Sequence, residues 1–83
     1  MVKVRLTMEA REQVENVPIS IRGRVLHIVD RLSKWPAVSG YKPLRGKLQG
    51  SYRIRTGSYR VLFRIEGTEI TIWRIENRRD VYE

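Results

Sequence analysis

Apolar and polar residues alternate through Val2-Lys3-Val4-Arg5-Leu6, the period-two pattern of a half-buried strand. The period then lengthens. Thr7 can cap a helix through its hydroxyl, and Glu9 and Glu12 lie where acids favour a helix N-terminus, so a short helix is expected to about Asn16. Pro18 stops that helix and suits the first turn of another. From Ile21, residues Val25, Ile28, Val29 and Leu32 fall on one helical face, which predicts a second helix ending near Trp35-Pro36. Ala37 to Pro43 holds Gly40 between flanking prolines and reads as a connecting loop.

After that loop the period returns to two. Tyr52-Arg53-Ile54-Arg55 alternates, Thr56-Gly57-Ser58 supplies turn chemistry, and Tyr59 to Ile65 alternates again. Glu66-Gly67-Thr68-Glu69 is a second turn, followed by Ile70-Thr71-Ile72-Trp73-Arg74-Ile75. The expected class is α+β: one small domain over 1–83, with an N-terminal strand, two helices, then antiparallel strands in one sheet with the helices on one face.

A two-residue loop at Gly57-Ser58 fixes a register. Thr56 then pairs with Tyr59, Arg55 with Arg60, Ile54 with Val61 and Tyr52 with Phe63. Tyr52, Ile54, Tyr59, Val61, Phe63 and Ile65 share the core face, which Ile70 and Ile72 extend. Arg53, Arg55, Arg60 and Arg64 share the opposite face. Like charges directly opposed destabilise a sheet, whereas an anion between them accepts from both guanidiniums. Four arginines on one hairpin face therefore point to phosphate, although a solvated face on which they splay apart has the same composition. With Ile70 and Ile72 inward, Trp73 turns toward the arginines, where an indole can stack a base or simply cover the sheet edge. His27, between apolar positions of the second helix, reads as a structural histidine, and Trp35 and Tyr41 as packing residues.

Charge strengthens the phosphate reading. Lys and Arg total 17 against 9 acids, for a formal net charge of +8, and most of the cations are arginine. Guanidiniums grip phosphate with two prongs and stay charged when partly buried, so a polyanion partner is expected. There is no cysteine and one histidine, which leaves no disulfide framework and no thiolate or histidine metal set. No apolar run reaches membrane-span length and no secretory signal pattern opens the chain, so a cytoplasmic protein is expected.

Three segments together resemble the RelE/ParE toxin superfamily. They are Leu44-Arg45-Gly46-Lys47-Leu48, Tyr52-Arg53-Ile54-Arg55 with Gly57-Ser58-Tyr59-Arg60-Val61, and Asn77-Arg78-Arg79-Asp80-Val81-Tyr82. The resemblance implies a toxin of a type II toxin–antitoxin system, of the RelE type, that binds a protein antitoxin and cleaves mRNA on the ribosome. It implies attack of a ribose 2′-hydroxyl on the adjacent phosphate with no cofactor or metal. The implied catalytic residues are Arg55, Arg60, Arg78 and Tyr82. Arg53, Arg64, Trp73, Arg79, Lys47 and Arg45 are the expected RNA contacts. Two departures bear on mechanism: arginine stands at 53 and 55 where RelE proteins often have lysine, and Asn77 where many relatives have histidine. Neither arginine nor asparagine is a ready proton carrier, so the general base is not identified. Two other functions stay open: a ParE-like toxin that inhibits DNA gyrase by binding, and a non-catalytic RNA-binding relative.

Overall fold

In the computed structural model, which describes residues 2–77, Thr7 begins the first helix as its hydroxyl suggests: Oγ1 accepts from the Ala10 N–H at 3.1 Å. That helix, α1 (Met8–Asn16), follows strand β1 (Lys3–Leu6), and α2 (Ile19–Leu32) starts directly after Pro18. The sequence pattern extends α2 to Trp35-Pro36, but the helix stops at Leu32. Single turns, including Trp35 N–H to Leu32 O at 3.0 Å, carry the chain on and account for the longer periodicity.

Beyond these turns come β2 (Tyr41–Pro43), a 3-10 turn (Gly46–Leu48), β3 (Ser51–Thr56), β4 (Tyr59–Glu66) and β5 (Glu69–Asn77). Strand β2 corrects the expectation of a plain loop from Ala37 to Pro43. It is an edge strand of three residues, too short to show alternation, and its proline sits at an edge where strands tolerate a missing N–H. The sheet order is β1-β5-β4-β3-β2. All neighbours are antiparallel except β1 with β5, which makes the sheet mixed, and the two helices carry the chain from β1 at one edge to β2 at the other.

The β3–β4 hairpin has the register expected from Gly57-Ser58, with Arg55 opposite Arg60 and Tyr52 opposite Phe63. Gly57 sits at φ 61, a backbone conformation that such tight turns require and glycine adopts freely. The helices cover one face of the sheet. There Val25, Ile28 and Leu32 of α2 and Ala10 and Val14 of α1 meet Ile54, Val61, Phe63, Ile70, Ile72 and Ile75. Phe63, Leu32, Ile70 and Ile72 are each fully buried, and each such side chain contributes about 1.5–3 kcal/mol. Trp35 and Tyr41 pack as expected, with ring centroids 4.8 Å apart, next to Tyr52 and Phe63, which stack at 5.8 Å. Among the described residues no helix is long and apolar enough to cross a membrane.

Candidate nucleic-acid interface

The helices do not cover the other face of the sheet, and the register lays its side chains out in rows. One row runs Lys42, Arg53, Leu62, Arg74 across β2 to β5. The next runs Arg55, Arg60, Glu76, and another Ser51, Arg64, Thr71. Arg53, Arg55, Arg60 and Arg64 thus share one face, and Lys42 joins them from the edge strand. Lys42 was hidden from the sequence pattern because its segment reads as loop.

The two halves of this face differ in charge balance. On β4 and β5 the guanidiniums are matched by acids. Arg60 is paired with Glu76, which also receives Arg74 Nε at 3.1 Å, and Arg64 Nε lies 3.4 Å from Glu66. The Arg60 and Glu76 side chains are only 22% and 11% exposed, so this contact is screened weakly by water. On β2 and β3 the side chains of Lys42, Arg53 and Arg55 make no ion pair or hydrogen bond to any described residue. With Gly40 they line a shallow depression that contains no acid. An anion entering this recess would meet three cations that have no counter-charge among the described residues.

Glu76 was not singled out in the sequence, and the reason is a β-bulge. Pairing runs Phe63 with Ile72 but Leu62 with Arg74, which leaves Trp73 as the extra residue. After the bulge the alternation reverses: Ile75 faces the core while Arg74 and Glu76 face outward. The signal was present as a change in apolar spacing, two residues from Ile70 to Ile72 and three from Ile72 to Ile75. Side chains near and on α1 hold the bulge. The Gln13 side-chain oxygen accepts from the Ile75 N–H at 2.7 Å, and the Thr7 hydroxyl reaches the Trp73 carbonyl at 3.5 Å.

Trp73 lies on the arginine side, bordering a depression with Arg60, Leu62 and Arg74, over which Leu44 and Leu48 fold. The indole N–H of Trp73 and Nε of Arg60 are buried there without partners among the described residues. A buried unpaired donor costs about 1–3 kcal/mol, so this part of the face stands to gain from an acceptor or from rearrangement. Arg45 and Lys47 are exposed in the segment that crosses this side, Arg45 bordering a separate recess with Tyr52. Arg78, Arg79 and Tyr82 lie outside the described residues.

His27 departs from its expected structural role. It is exposed, bonded to no described side chain or backbone, and lines a groove between α2 and the end of β3 with Arg24, Arg31 and Arg55. The helical face bearing Val25, Ile28 and Leu32 is narrow enough that position 27 points away from the core.

Comparison with known proteins agrees with this fold. Residues 4–82 match the family model described as the ParE toxin of type II toxin–antitoxin system, parDE. Toxin RelG of Mycobacterium tuberculosis is 39% identical over 82 residues, covering 95% of this chain and 93% of that protein. The toxin–antitoxin complex RelBE2 of the same organism contains a chain 35% identical to this one, with a TM-score of 0.81 over 93% of this chain and 98% of that one. A chain of the RelB–RelE antitoxin–toxin complex of Methanococcus jannaschii shares the fold at 23% identity, with a TM-score of 0.79 over 94% of each chain.

Proposed function

The chain belongs to the RelE/ParE superfamily of type II toxin–antitoxin toxins, and from that premise we propose that it is an endoribonuclease that cuts mRNA on the ribosome. The observation that carries this reading is the recess of Lys42, Arg53 and Arg55, where three cations without counter-charges among the described residues meet on one surface. The RNA backbone supplies the missing anion. The ribose 2′-hydroxyl attacks the adjacent phosphate, and the fixed guanidiniums neutralise charge that grows on the phosphorane oxygens. The reaction leaves a 2′,3′-cyclic phosphate or 3′-phosphate. Arg53 and Arg55 hold the backbone. Arg60 joins them once the phosphate takes over its interaction with Glu76. Arg78 and Tyr82, carried over from the family motif, add a further cation and a phenol that stacks at or protonates near the scissile position.

A cognate antitoxin silences the toxin in the cytoplasm on this reading. Support comes from relatives solved as toxin–antitoxin complexes, and from the excess positive charge, which favours an acidic partner segment.

One observation favours a second reading. The matching family model is described as ParE of parDE, and Arg60 is held by Glu76 rather than left open for substrate. A ParE-like toxin would inhibit DNA gyrase by binding. Induction of the toxin followed by primer extension on cellular mRNA and a supercoiling assay with purified gyrase separates the two. Ribonuclease activity predicts new 5′ ends inside open reading frames with gyrase unaffected. Intact mRNA with stalled gyrase would transfer the assignment to the second reading.

A further inference from the structure

We propose that Lys42 is the general acid of this cleavage, protonating the 5′-oxygen that leaves when the chain is cut; the inference rests on the ribonuclease reading above. Expelling an alkoxide from phosphorus needs a proton in the transition state. Arg53 and Arg55 cannot supply one, because a guanidinium keeps its protons throughout the accessible pH range. The register sets Lys42 directly opposite Arg53, and the same recess is lined by Lys42, Arg53 and Arg55. Lys42 is exposed, makes no side-chain bond to any described residue, and carries an ammonium on a flexible four-carbon stem.

Among the described residues, no proton donor other than Lys42 and the two arginines lines this recess. Glu76 is occupied by Arg60 and Arg74, and Tyr41, Tyr52 and Tyr59 pack against the core. His27 borders Arg55 from the helix side, in a groove that includes neither Lys42 nor Arg53. In the step itself the 2′-oxygen forms a bond to phosphorus as the bond from phosphorus to the 5′-oxygen breaks. The 2′-hydroxyl proton passes to water, and one ammonium proton of Lys42 passes to the departing oxygen. The products are a 2′,3′-cyclic phosphate and a 5′-hydroxyl, and the neutral amine regains its proton from solvent.

The test uses ribosomes programmed with mRNA carrying, at the cut position, either the natural linkage or a bridging 5′-sulfur, which departs without a proton. Wild-type toxin is expected to cut both. Lys42→Arg is expected to cut the natural linkage about 10²–10⁴-fold more slowly, the usual worth of a general acid, with a much smaller loss on the sulfur linkage, while Lys42→Ala, which also gives up a backbone contact, loses on both linkages but far more on the natural one. Lys42→Arg keeps the charge, so its RNA affinity should match wild type. Thermal melts of both variants verify folding. Full recovery of natural cleavage by Lys42→Arg would overturn the proposal, as would equal loss on both linkages in Lys42→Ala. The sulfur-selective signature appearing instead in His27→Ala or Tyr82→Phe would reassign the proton. Failure of wild-type toxin to cut either linkage removes the ribonuclease reading and this proposal with it.

Discussion

Arg55 and Arg60 face each other across one hairpin, yet among the described residues only Arg60 has a counter-charge. The difference follows from neighbours on the sheet. Arg60 has β5 beside it and meets Glu76, while Arg55 looks toward the end of the short edge strand, where Gly40 offers no side chain. On the ribonuclease reading, Glu76 occupies the place beside Arg60 that a phosphate would take. Glu76→Gln is expected to raise affinity for a short single-stranded RNA, measured by fluorescence anisotropy, by roughly tenfold, equivalent to about 1.4 kcal/mol. The same variant should lower folding stability by about 1–3 kcal/mol, the worth of hydrogen bonds to a charged group. Unchanged or weaker RNA binding would mean that Glu76 does not compete with the backbone for Arg60.

The β-bulge at Trp73 decides which side chains of β5 reach the arginine face, and Gln13 is its principal support. Beyond Ile72, β1 no longer runs alongside β5, so the Ile75 N–H would lack a strand partner on that side without Gln13. Gln13→Ala should cost about 1–3 kcal/mol in urea unfolding, the penalty for leaving such a donor unpaired. A loss below about 0.5 kcal/mol, typical of an ordinary surface change, would show that water replaces it freely. The same elements explain what could be read from the chain. The β3–β4 hairpin was legible because a two-residue loop fixes register and alternation assigns both faces. The helix start at Thr7 was legible because its hydroxyl caps locally. Strand β2 was not, since three residues between Gly40 and Leu44 carry no periodicity, and Lys42 was lost with it. Glu76 was hidden because alternation carried past Ile72 without a bulge puts position 76 on the wrong side of the sheet. His27 was not legible because its apolar neighbours Val25 and Ile28 lie on the buried face of α2 while position 27 points outward. The arginine face was thus visible as a set of residues, but its division into paired and unpaired halves depends on contacts between distant strands.

Across the protein, 17 basic residues against 9 acidic ones give a field that attracts any polyanion, so charge by itself does not identify the binding surface. The surface proposed here is the recess of Lys42, Arg53 and Arg55. If Lys42, Arg53 and Arg55 each contact a phosphate, each contributes roughly −0.7 to the slope of log affinity against log salt for single-stranded RNA. Replacing any one with alanine should make the slope shallower by about that amount, whereas Arg5→Ala, remote on β1 and near Glu69, should leave it unchanged. Equal effects at both places would indicate diffuse attraction without a defined groove. The central claim, that this recess grips an mRNA backbone so that it is cut, is tested most directly by mapping RNA ends after purified toxin is mixed with mRNA-programmed ribosomes. The account predicts discrete cuts ending in a 2′,3′-cyclic phosphate or 3′-phosphate, with the rate lowered about 10²–10³-fold by Arg55→Ala. Cuts that persist at full rate in a folded Lys42, Arg53 and Arg55 triple-alanine variant, or mRNA left whole by the wild-type protein, would contradict it.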